Sequence, residues 1–487
     1  MLGNIDSTMI RAIIPELGLL VLAILVLFVD LVLDEERRRS LGWLTAGGLA
    51  VIFILSLVLA RPGEQSAQLW GGMIRLDWLG YSFTMLFLFG AAVTSLFAME
   101  IKQLGNRGEF YLLLLAATFG MSLMAVSADL IMLFLAIETT SIPLYILAGF
   151  MKSDNKSTES GFKYVLFGAL TTAVMLYGFS LIYGFSGTTD LYELTDMVVT
   201  GRLLLPLILG TLILIMVGFG FKVSVVPFHF WAPDVYEGAP TPVAGFLSTA
   251  SKAAGFAVLM RVLLTAYADL EVIPYWIGII AALSVFSMTL GNTLALAQKN
   301  IKRMLAYSSI AHAGYAMIGI AALSMFGISS VVFYLVVYIV TNLAAFGVVA
   351  AFWRISGSDE IADYAALSRR APGLALAMMV ALLSLAGMPP LGGFVAKVFV
   401  FAAAVNANLV WLAVIGVLNS IVGLYYYLIV LKVIYLYRSE DEEKPVPITR
   451  PYALALVVLV VGIILLGTVF GPLFTLSNTA AAALFQG

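Results

Sequence analysis

The feature that most constrains this chain is the recurrence of apolar runs of about twenty residues along almost its whole length. A run of that length is what an α-helix needs to cross the hydrocarbon core of a bilayer. The chain is 62% hydrophobic and only 11% charged, whereas soluble domains are about a quarter charged. The sequence therefore predicts an all-α polytopic membrane protein, in which membrane spans are counted instead of soluble domains.

The apolar runs can be assigned one by one. We place about fourteen spans at 10–33, 41–60, 79–99, 110–127, 129–150, 162–185, 203–230, 240–264, 273–296, 302–324, 328–353, 371–405, 409–436 and 450–471. The longest polar stretches between them, near 61–77, 186–202 and 438–450, are interpreted as ordinary loops. The first run is long enough to span and lacks a preceding basic segment, so we expect no cleavable leader. The tail SNTAAAALFQG is too short for a further domain.

Lysine and arginine are distributed unequally between the predicted loops. The odd-numbered loops hold about four times as many basic residues as the even-numbered loops. Because basic loops stay on the cytoplasmic side, both termini are predicted to lie on the outer side, in a bacterial plasma membrane. The count leaves four lysines that topology does not explain, because they lie inside predicted spans: Lys163, Lys222, Lys252 and Lys397.

Charges deep inside predicted spans are candidates for function. A charged side chain at the centre of a membrane helix costs about 2.5–3.5 kcal/mol on insertion scales. Lys222, Lys252 and Lys397 lie deep in spans 7, 8 and 12, and Glu138 is the deep carboxylate of span 5. We interpret these four as functional. For Lys163, near the start of span 6, a structural ion pair is an equal alternative.

Two carboxylates of span 1 receive a different interpretation. Glu16 and Asp30 lie nearer the ends of that span than its middle. At that depth, a side chain can reach the membrane surface or an interfacial cation at small cost. We therefore interpret both as structural groups.

The chain contains two histidines, His229 and His312. Imidazole changes its charge near neutral pH and so can accept and release protons. His229 follows Lys222 by seven residues and would share its helix face if the helix continued past Pro227. His312 lies within the polar stripe AYSSIAHAGY. Both histidines are candidates for a proton relay, and ordinary buried hydrogen-bonded histidines are the alternative.

Two of the predicted spans contain helix breaks. Span 7 contains Pro227, and span 12 contains Pro389, Pro390, Gly392 and Gly393. Non-helical backbone is tolerated at membrane depth only where protein or water satisfies it. The breaks lie five spans apart, an odd offset that inverts the direction of a segment, so we predict two inverted five-helix repeats. The predicted segments are three helices at 1–109, a first repeat at 110–264, a second repeat at 265–436, and a last helix with the tail at 437–487.

The sequence excludes several kinds of site. It contains no cysteine, which excludes disulfides, thiolate metal sites and iron–sulfur clusters ligated by this chain. It lacks the GxGxxG and P-loop patterns of nucleotide sites, and its few histidines leave little material for a metal site. The net charge of −2 gives no indication of nucleic-acid binding. We therefore expect neither a cofactor nor a metal in this chain.

Three stretches of the sequence resemble a known family. HFWAPDVYEGAPTPVAGFLSTASKAAGFA, NIKRMLAYSSIAHAGY and GMPPLGGFVAK are similar to subunit N of the proton-pumping NADH:quinone oxidoreductase, respiratory complex I. The segment EFYLLLLAATFGMSLMAVSADLIMLFLAIETTSIPLYILAGF extends the resemblance upstream. The stretch Asp234–Pro240, Lys397 in span 12, and the absence of a long helix after span 14 favour subunit N over its M and L relatives. The resemblance implies fourteen helices with two inverted five-helix repeats and broken helices 7 and 12.

The resemblance also implies roles for particular residues. It implies a proton relay through bridging water that includes Glu138, Lys163, Lys222, His229, Lys252, His312 and Lys397. In that family, FMN, iron–sulfur clusters and quinone belong to partner subunits. This chain is then expected to contact lipid and other membrane-arm subunits, especially antiporter-like and small membrane subunits.

Three other functions remain open from the sequence. A cation/proton antiporter subunit of a multisubunit Na⁺/H⁺ exchanger would use the same residues, although a row of lysines repels cations and favours protons. A structural or assembly subunit would hold the same charges as fixed ion pairs. A membrane enzyme acting on lipid or isoprenoid would need an acid–base or metal constellation that the sequence does not display.

Overall fold

A computed structural model describes residues 6–35, 37–440 and 442–485. In this part of the chain, thirteen helices are long and apolar enough to cross a membrane, and two shorter apolar helices, Pro372–Ala386 and Gly392–Asn406, lie within predicted span 12. The prediction of an all-α polytopic membrane protein is confirmed. The α-helices are α1 (Ser7–Arg11), α2 (Ile14–Val32), α3 (Leu41–Leu59), α4 (Trp78–Ala98), α5 (Lys102–Gly105), α6 (Gly108–Val126), α7 (Leu130–Ala148), α8 (Asn155–Ser186), α9 (Leu191–Val199), α10 (Leu205–Val223), α11 (Trp231–Gly238), α12 (Thr241–Phe246), α13 (Lys252–Leu264), α14 (Ile273–Ala295), α15 (Ile301–Ala321), α16 (Met325–Ser356), α17 (Leu367–Arg370), α18 (Pro372–Ala386), α19 (Gly392–Asn406), α20 (Val410–Leu436), α21 (Arg450–Thr468) and α22 (Gly471–Phe485).

Local sequence signals explain where several spans begin and end. The side chains of Asp77, Asp129 and Asn300 accept hydrogen bonds from backbone N–H groups in the first turns of α4, α7 and α15. The long helices α8 and α16 end at Gly187 and Gly357, which adopt left-handed conformations with φ of 76° and 68°. The apolar runs set which segments cross the membrane, and these caps set their limits.

The buried centre of the fold consists of α13, α15 and α16. These helices are almost completely covered by the rest of the chain, whereas only about a third or less of the residues in the apolar parts of α2, α8, α14, α20 and α21 are buried. The segment 252–257, KAAGFA, contains mostly small side chains, which allow neighbouring backbones to approach closely. The helix that carries Lys252 therefore lies at the centre of the molecule. The division into inverted repeats stays a prediction.

The stretch at 61–77 was predicted to be an ordinary loop, and this was wrong. It contains an antiparallel hairpin of β1 (Ala67–Leu69) and β2 (Ile74–Leu76). Ile74 also bridges to Ser127, at the end of α6. Strands of three residues are at the short limit of strand length and carry too little pattern to be predicted.

Two further helices were not predicted. The stretch at 186–202, interpreted as a loop, contains α9, which begins where the Asp190 carboxylate accepts a hydrogen bond from the N–H of Tyr192 at 2.8 Å. The C-terminal tail forms α22, which packs against α4 and α16. The loop interpretation failed because α9 is short and is held by buried Leu191 and Leu194 against the membrane helices.

Ion pairs gather several odd-numbered loops on one face of the molecule. Arg39 and Arg354 both bind the carboxylate of Glu100, which joins the first, third and eleventh loops. Lys302 lies 3.5 Å from Asp359, which adds the ninth loop to the same face. These loops therefore share one side, and their assignment to the cytoplasm stays the prediction of the basic-residue distribution.

The opposite face holds the second loop and both described ends of the chain. The indole N–H of Trp70 donates to the carbonyl of Met9 at 3.1 Å. Pro62 and Thr479 line one cleft, so the C-terminal helix lies beside the second loop. The two described ends of the chain thus lie on the same face.

Arg261, near the end of predicted span 8, is a buried charge that the sequence did not single out. It lies inside α13 with 1% of its surface exposed. Its guanidinium donates to the two carboxylate oxygens of Asp77 at 2.7 and 3.0 Å, to the carbonyl of Ala125 at 2.8 Å and to the hydroxyl of Tyr192 at 3.0 Å. The pair could not be predicted because its carboxylate comes from a segment 184 residues away.

Candidate functional site

The backbone of span 7 leaves the helical conformation at Ser224, which has a φ of 58°. The next helix begins at Trp231, and Pro227 lies in the turn between them. The N–H of Val226 donates to the hydroxyl of Ser287 at 3.0 Å, which satisfies a backbone group that the break exposes. The non-helical segment is therefore covered by the second half of the chain.

Lys222 lies in the last turn of α10 and is buried. Its ammonium donates to the hydroxyl of Ser141 on α7, one turn after Glu138. One carboxylate oxygen of Glu138 is buried and has no hydrogen-bond partner among the described residues. Glu138 and Lys222 interact electrostatically, but no direct ion pair within 4.0 Å joins them. A neutral hydroxyl thus contacts the ammonium, and the carboxylate lies further away.

Lys252 is the first residue of α13 and follows a π-helical turn at Leu247–Ser251. Such turns interrupt the regular hydrogen-bond pattern and are frequent at functional sites. The Lys252 ammonium is buried and donates to the carbonyl of Ser309 at 2.7 Å and to its hydroxyl. A Cβ added at Gly255 would lie 3.1 Å from the Cβ of Lys222. The helices that carry these two lysines are therefore in direct contact.

His312 lies one turn after Ser309 on α15, and both of its ring nitrogens have partners. Nδ1 lies 2.6 Å from the hydroxyl of Tyr334, and Nε2 lies 3.2 Å from the hydroxyl of Tyr427. The Tyr427 hydroxyl also contacts the hydroxyl of Ser308. The polar stripe that the sequence predicted is thus a connected network of hydroxyl groups around one imidazole.

The interruption of span 12 runs from Ala386 to Gly392. Gly387 ends α18 in a left-handed conformation with a φ of 88°. Pro389 and Pro390 occupy the turn, and neither has an N–H group that the membrane would have to satisfy. The carbonyls of Leu383 and Ser384 accept hydrogen bonds from the N–H groups of Gly387 and Met388, whereas the carbonyl of Ala386 is left for other donors.

Lys397 on α19 supplies one of those donors. Its ammonium donates to the carbonyl of Ala386 at 3.0 Å and to the hydroxyl of Ser420 at 2.8 Å. The same group lies 4.8 Å from the centre of the Tyr315 ring, a cation–π contact. As with the other two lysines, no carboxylate of the described residues forms an ion pair with it.

A cavity of ≈ 10 Å³ lies between His312 and Lys397. This volume is close to that needed for one water molecule. Its surface is mostly apolar, although six of the ten residues that line it have polar side chains. Besides His312 and Lys397, these are Tyr334, Tyr338, Thr341 and Ser384. The imidazole and the ammonium thus lie at one small space that also has hydroxyl groups at its edge.

His229 does not share a helix face with Lys222, because α10 ends at Val223. The imidazole is buried in the break of span 7, and its ring lies 4.5 Å from the ring of Phe230. Its Nδ1 atom has no hydrogen-bond partner among the described residues. His229 therefore lies beside the break of span 7, apart from Lys252 and His312.

Lys163 lies in an ion-pair network, apart from the buried lysines Lys222, Lys252 and Lys397. Its ammonium is 2.7 Å from Glu159 and 2.6 Å from Asp234. Arg303 binds the other oxygen of Asp234 at 2.6 Å and Glu237 at 3.0 Å. The network joins α8, α11 and α15 at the molecular surface. This geometry corresponds to the structural ion pair that was the alternative interpretation of Lys163.

The two carboxylates of span 1 have different partners. Asp30 forms an ion pair with Arg38 at 3.2 Å. Glu16 is buried and accepts a hydrogen bond from the hydroxyl of Ser122, which lies 3.0 Å from the hydroxyl of Thr84. Among the described residues, no basic group forms an ion pair with Glu16, so its partner is neutral.

The sequence did not identify most of the groups that contact the lysines. Ser141 on α7 and Ser420 on α20 each contact a lysine, and neither was singled out. Tyr427, also on α20, contacts His312 and was not singled out either. Hydroxyl side chains are common in membrane helices, and nothing in one sequence distinguishes those that face a lysine. A partial signal existed on α15, where Ser309 belongs to the predicted polar stripe.

Comparison with known proteins assigns the class of this fold. The family described as "NADH:quinone oxidoreductase/Mrp antiporter, TM" matches residues 127–423. This match covers more than half of the chain and includes all the lysine-bearing helices described above. The chain belongs to this family of membrane proteins.

Its similar relatives carry a more particular name. A protein of Moorella thermoacetica is 44% identical over 487 residues, with 100% of both chains covered, and one of Heliobacterium modesticaldum is 43% identical, with 93% of this chain and 94% of that one covered. Both are named NADH-quinone oxidoreductase subunit N. The NAD(P)H-quinone oxidoreductase subunit 2 of Nostoc punctiforme is 41% identical and covers 96% of this chain and 90% of its own length.

Two solved structures have a similar fold. A chain of respiratory complex I from Thermus thermophilus with bound aureothin is 34% identical, covers 95% of this chain and 98% of its own length, and has a TM-score of 0.79. A chain of the Mrp complex from Dietzia sp. has a TM-score of 0.84 and covers 99% of this chain and 98% of its own length, at 21% identity. At 21% identity, the similarity to the Mrp chain shows a shared fold and no more.

Proposed function

We propose that this chain is the antiporter-like subunit N of a redox-driven NADH (or ferredoxin):quinone oxidoreductase and moves protons across the membrane. One observation carries the proposal: three buried lysines, Lys222, Lys252 and Lys397, each donate to hydroxyl or carbonyl oxygens and to no carboxylate. The names of the relatives and the shared fold with a complex I chain support the redox-driven complex over other settings.

The neutral partners matter because they leave the protons of the lysines mobile. A direct ion pair with a carboxylate holds an ammonium charge in place, and breaking such a buried pair costs about 3–5 kcal/mol. A hydroxyl accepts a hydrogen bond from an ammonium and can donate one to a neutral amine, so it serves both protonation states. This arrangement suits a lysine that gains and loses a proton in each cycle.

Glu138 is the group that controls the first lysine. Its negative charge attracts the charge of the Lys222 ammonium without a direct contact. When Glu138 moves away or is neutralised, that attraction is lost, and the proton of Lys222 passes towards Lys252. Direct contact between α10 and α13 keeps this transfer short. His229, beside the break of span 7, is positioned to supply protons from one side.

The second half of the path begins at Lys252. Its ammonium contacts Ser309, which lies one turn from His312 on α15. The imidazole accepts a proton at one ring nitrogen and releases it from the other, which suits the hydroxyl network around it. The ≈ 10 Å³ cavity then leads to Lys397. Water in that space would complete the relay between the two groups.

The driving force comes from outside this chain. We propose that FMN, iron–sulfur clusters and quinone are held by partner subunits and that redox energy reaches this chain through neighbouring membrane-arm subunits. The chain would then lie in a bacterial plasma membrane with both termini on the outer side. The basic-residue distribution supports that orientation.

The relay is tested by alanine substitutions in the assembled complex. Lys222→Ala and Lys252→Ala are each expected to lower the number of protons moved per quinone reduced, because each removes an ionisable group from the row. Proton uptake and quinone reduction are measured together in proteoliposomes. Lys163→Ala is the matched control and is expected to keep the ratio, because its ammonium lies in the surface network.

Each outcome of that experiment separates the alternatives. If both row variants move protons at the wild-type ratio, the lysine relay is wrong. If they prevent assembly of the complex while the control assembles, a structural subunit is the better description. A cation/proton antiporter, which shares the fold, would instead show sodium-dependent transport without an electron donor.

A further inference from the structure

A basic groove lies on the face of the molecule that the basic-residue distribution assigns to the cytoplasm. It has a volume of ≈ 750 Å³ and is formed where the turn before α3 meets the start of α21. The residues that line it include Arg37, Arg39, Trp43, Thr449 and Arg450. These residues come from opposite ends of the sequence. The groove therefore exists only in the folded chain and is separate from the buried lysines.

Within the described part of the chain, the positive charge of this groove is only partly neutralised. Arg39 binds Glu100, but the same carboxylate also binds Arg354 at 2.9 Å, so two guanidinium groups share one negative charge. The side chains of Arg37 and Arg450 form no hydrogen bond or ion pair within the described part of the chain. Among the described residues, no acidic side chain lines the groove. The groove is therefore suited to an anion.

Two further groups in the groove can donate hydrogen bonds. Thr449 precedes α21, and its hydroxyl is buried without a partner among the described residues. It makes no side-chain capping bond, and the first N–H groups of α21 have no partner within the helix. A phosphate at this helix end would meet these donors together with the guanidinium of Arg450.

The position of the groove relative to the membrane favours a lipid over a soluble anion. Both helices that border it, α3 and α21, are apolar enough to span, so the groove lies at the end of the apolar region. Trp43, in the first turn of α3, is 44% exposed, and tryptophan is enriched at the level of lipid headgroups. Leu454, one turn into α21, is exposed below the basic rim, where an acyl chain would lie.

We propose that this groove binds the headgroup phosphate of an anionic phospholipid of the cytoplasmic leaflet. The guanidinium groups of Arg37 and Arg450 bind the phosphate oxygens, the Thr449 hydroxyl donates to them, and Trp43 contacts the glycerol region. Basic groups close to the surface of an anionic membrane gain about 1 kcal/mol each. Such a lipid would join the N-terminal three helices to the last span.

The test uses the assembled complex, purified and depleted of lipid, with binding of phosphatidylglycerol counted by native mass spectrometry. Arg37→Gln combined with Arg450→Gln is expected to weaken binding at one site about 30-fold, as two basic contacts are lost. The matched control is Lys152→Gln combined with Arg438→Gln. This control removes two positive charges from exposed positions of odd-numbered loops outside the groove. The control variant is expected to bind the lipid as the wild type does.

The other outcomes would overturn the proposal. Equal binding by the wild type and the groove variant would show that the guanidinium groups do not hold the lipid. Equal retention of phosphatidylcholine would show that negative charge is not recognised. Displacement of the lipid by millimolar inorganic phosphate would assign the groove to a free anion. Loss of a neighbouring subunit, with lipid binding unchanged, would assign it to an acidic protein surface.

Discussion

Replacing Gly393 by alanine is expected to prevent α19 from packing at the break of span 12 and to displace Lys397. An added Cβ would lie 1.8 Å from the carbonyl oxygen of Ser384 and 2.6 Å from its carbonyl carbon. Both atoms belong to the backbone of α18, so no side-chain rotation can relieve the overlap. Separation of the two half-helices would also break the bond from the Gly393 N–H to the Ser384 hydroxyl, 3.0 Å long.

This expectation is measured by the amount of folded chain in the membrane and by its incorporation into the complex. Gly278→Ala is the control, because nothing lies within 4 Å of a Cβ added there. Alanine has a higher helix propensity than glycine by up to about 1 kcal/mol, so the control is expected to be neutral or slightly stabilising. Normal incorporation of Gly393→Ala, with normal proton translocation, would contradict the geometry of the break described here.

Arg261→Met is the second substitution with a large expected effect. The guanidinium and the Asp77 carboxylate are both buried, with side-chain exposures of 2% and 0%. Removing one partner of a buried pair costs about 3–5 kcal/mol. Without Arg261, the only cation that forms an ion pair with the Asp77 carboxylate among the described residues is Arg75, at the longer distance of 3.6 Å. The pair also connects α13 to the start of α4, where the Asp77 carboxylate accepts a hydrogen bond from the N–H of Gly80 at 2.8 Å. We therefore expect a large fall in the free energy of unfolding.

A double variant separates the charge effect from loss of packing. In Arg261→Met with Asp77→Asn, the buried carboxylate charge is removed, and asparagine can still cap the first turn of α4. Arg75, which lies 3.6 Å from the Asp77 carboxylate, keeps its cation–π contact with Tyr192. Its free energy of unfolding, measured by denaturant titration in detergent, is expected to recover most of the loss seen in Arg261→Met alone. If the double variant is as unstable as the sum of the two single variants, the ion pair is not the cause.

The sequence predicted the spans well because a bilayer imposes a simple requirement on each segment. Apolar length decides whether a helix crosses, and this can be read without knowledge of any neighbour. The depths of Lys222, Lys252 and Lys397 were predictable for the same reason. The interruptions at Pro227 and at Pro389–Pro390 could also be placed, since proline and glycine act on the local backbone.

The partners of those residues could not be predicted. The Lys222 ammonium contacts Ser141, which is 81 residues away. The Lys397 ammonium contacts Ser420, which lies on the next helix, α20. Arg261 was not singled out, because it lies near the end of a predicted span. Whether a charge near a span end reaches water or a buried partner depends on how helices pack. That information is absent from the periodicity of one segment.

The three buried lysines show which features could be predicted from the sequence and which required the tertiary structure. The sequence by itself determined that charges lie at membrane depth and that two helices break beside them, because burial in lipid and backbone geometry are local properties. Only the tertiary structure decided that Lys222, Lys252 and Lys397 contact hydroxyl and carbonyl oxygens and that Lys163 lies in a surface ion-pair network. The physical reason is that a hydrogen bond requires two groups within about 3 Å, and helix packing alone brings distant segments that close.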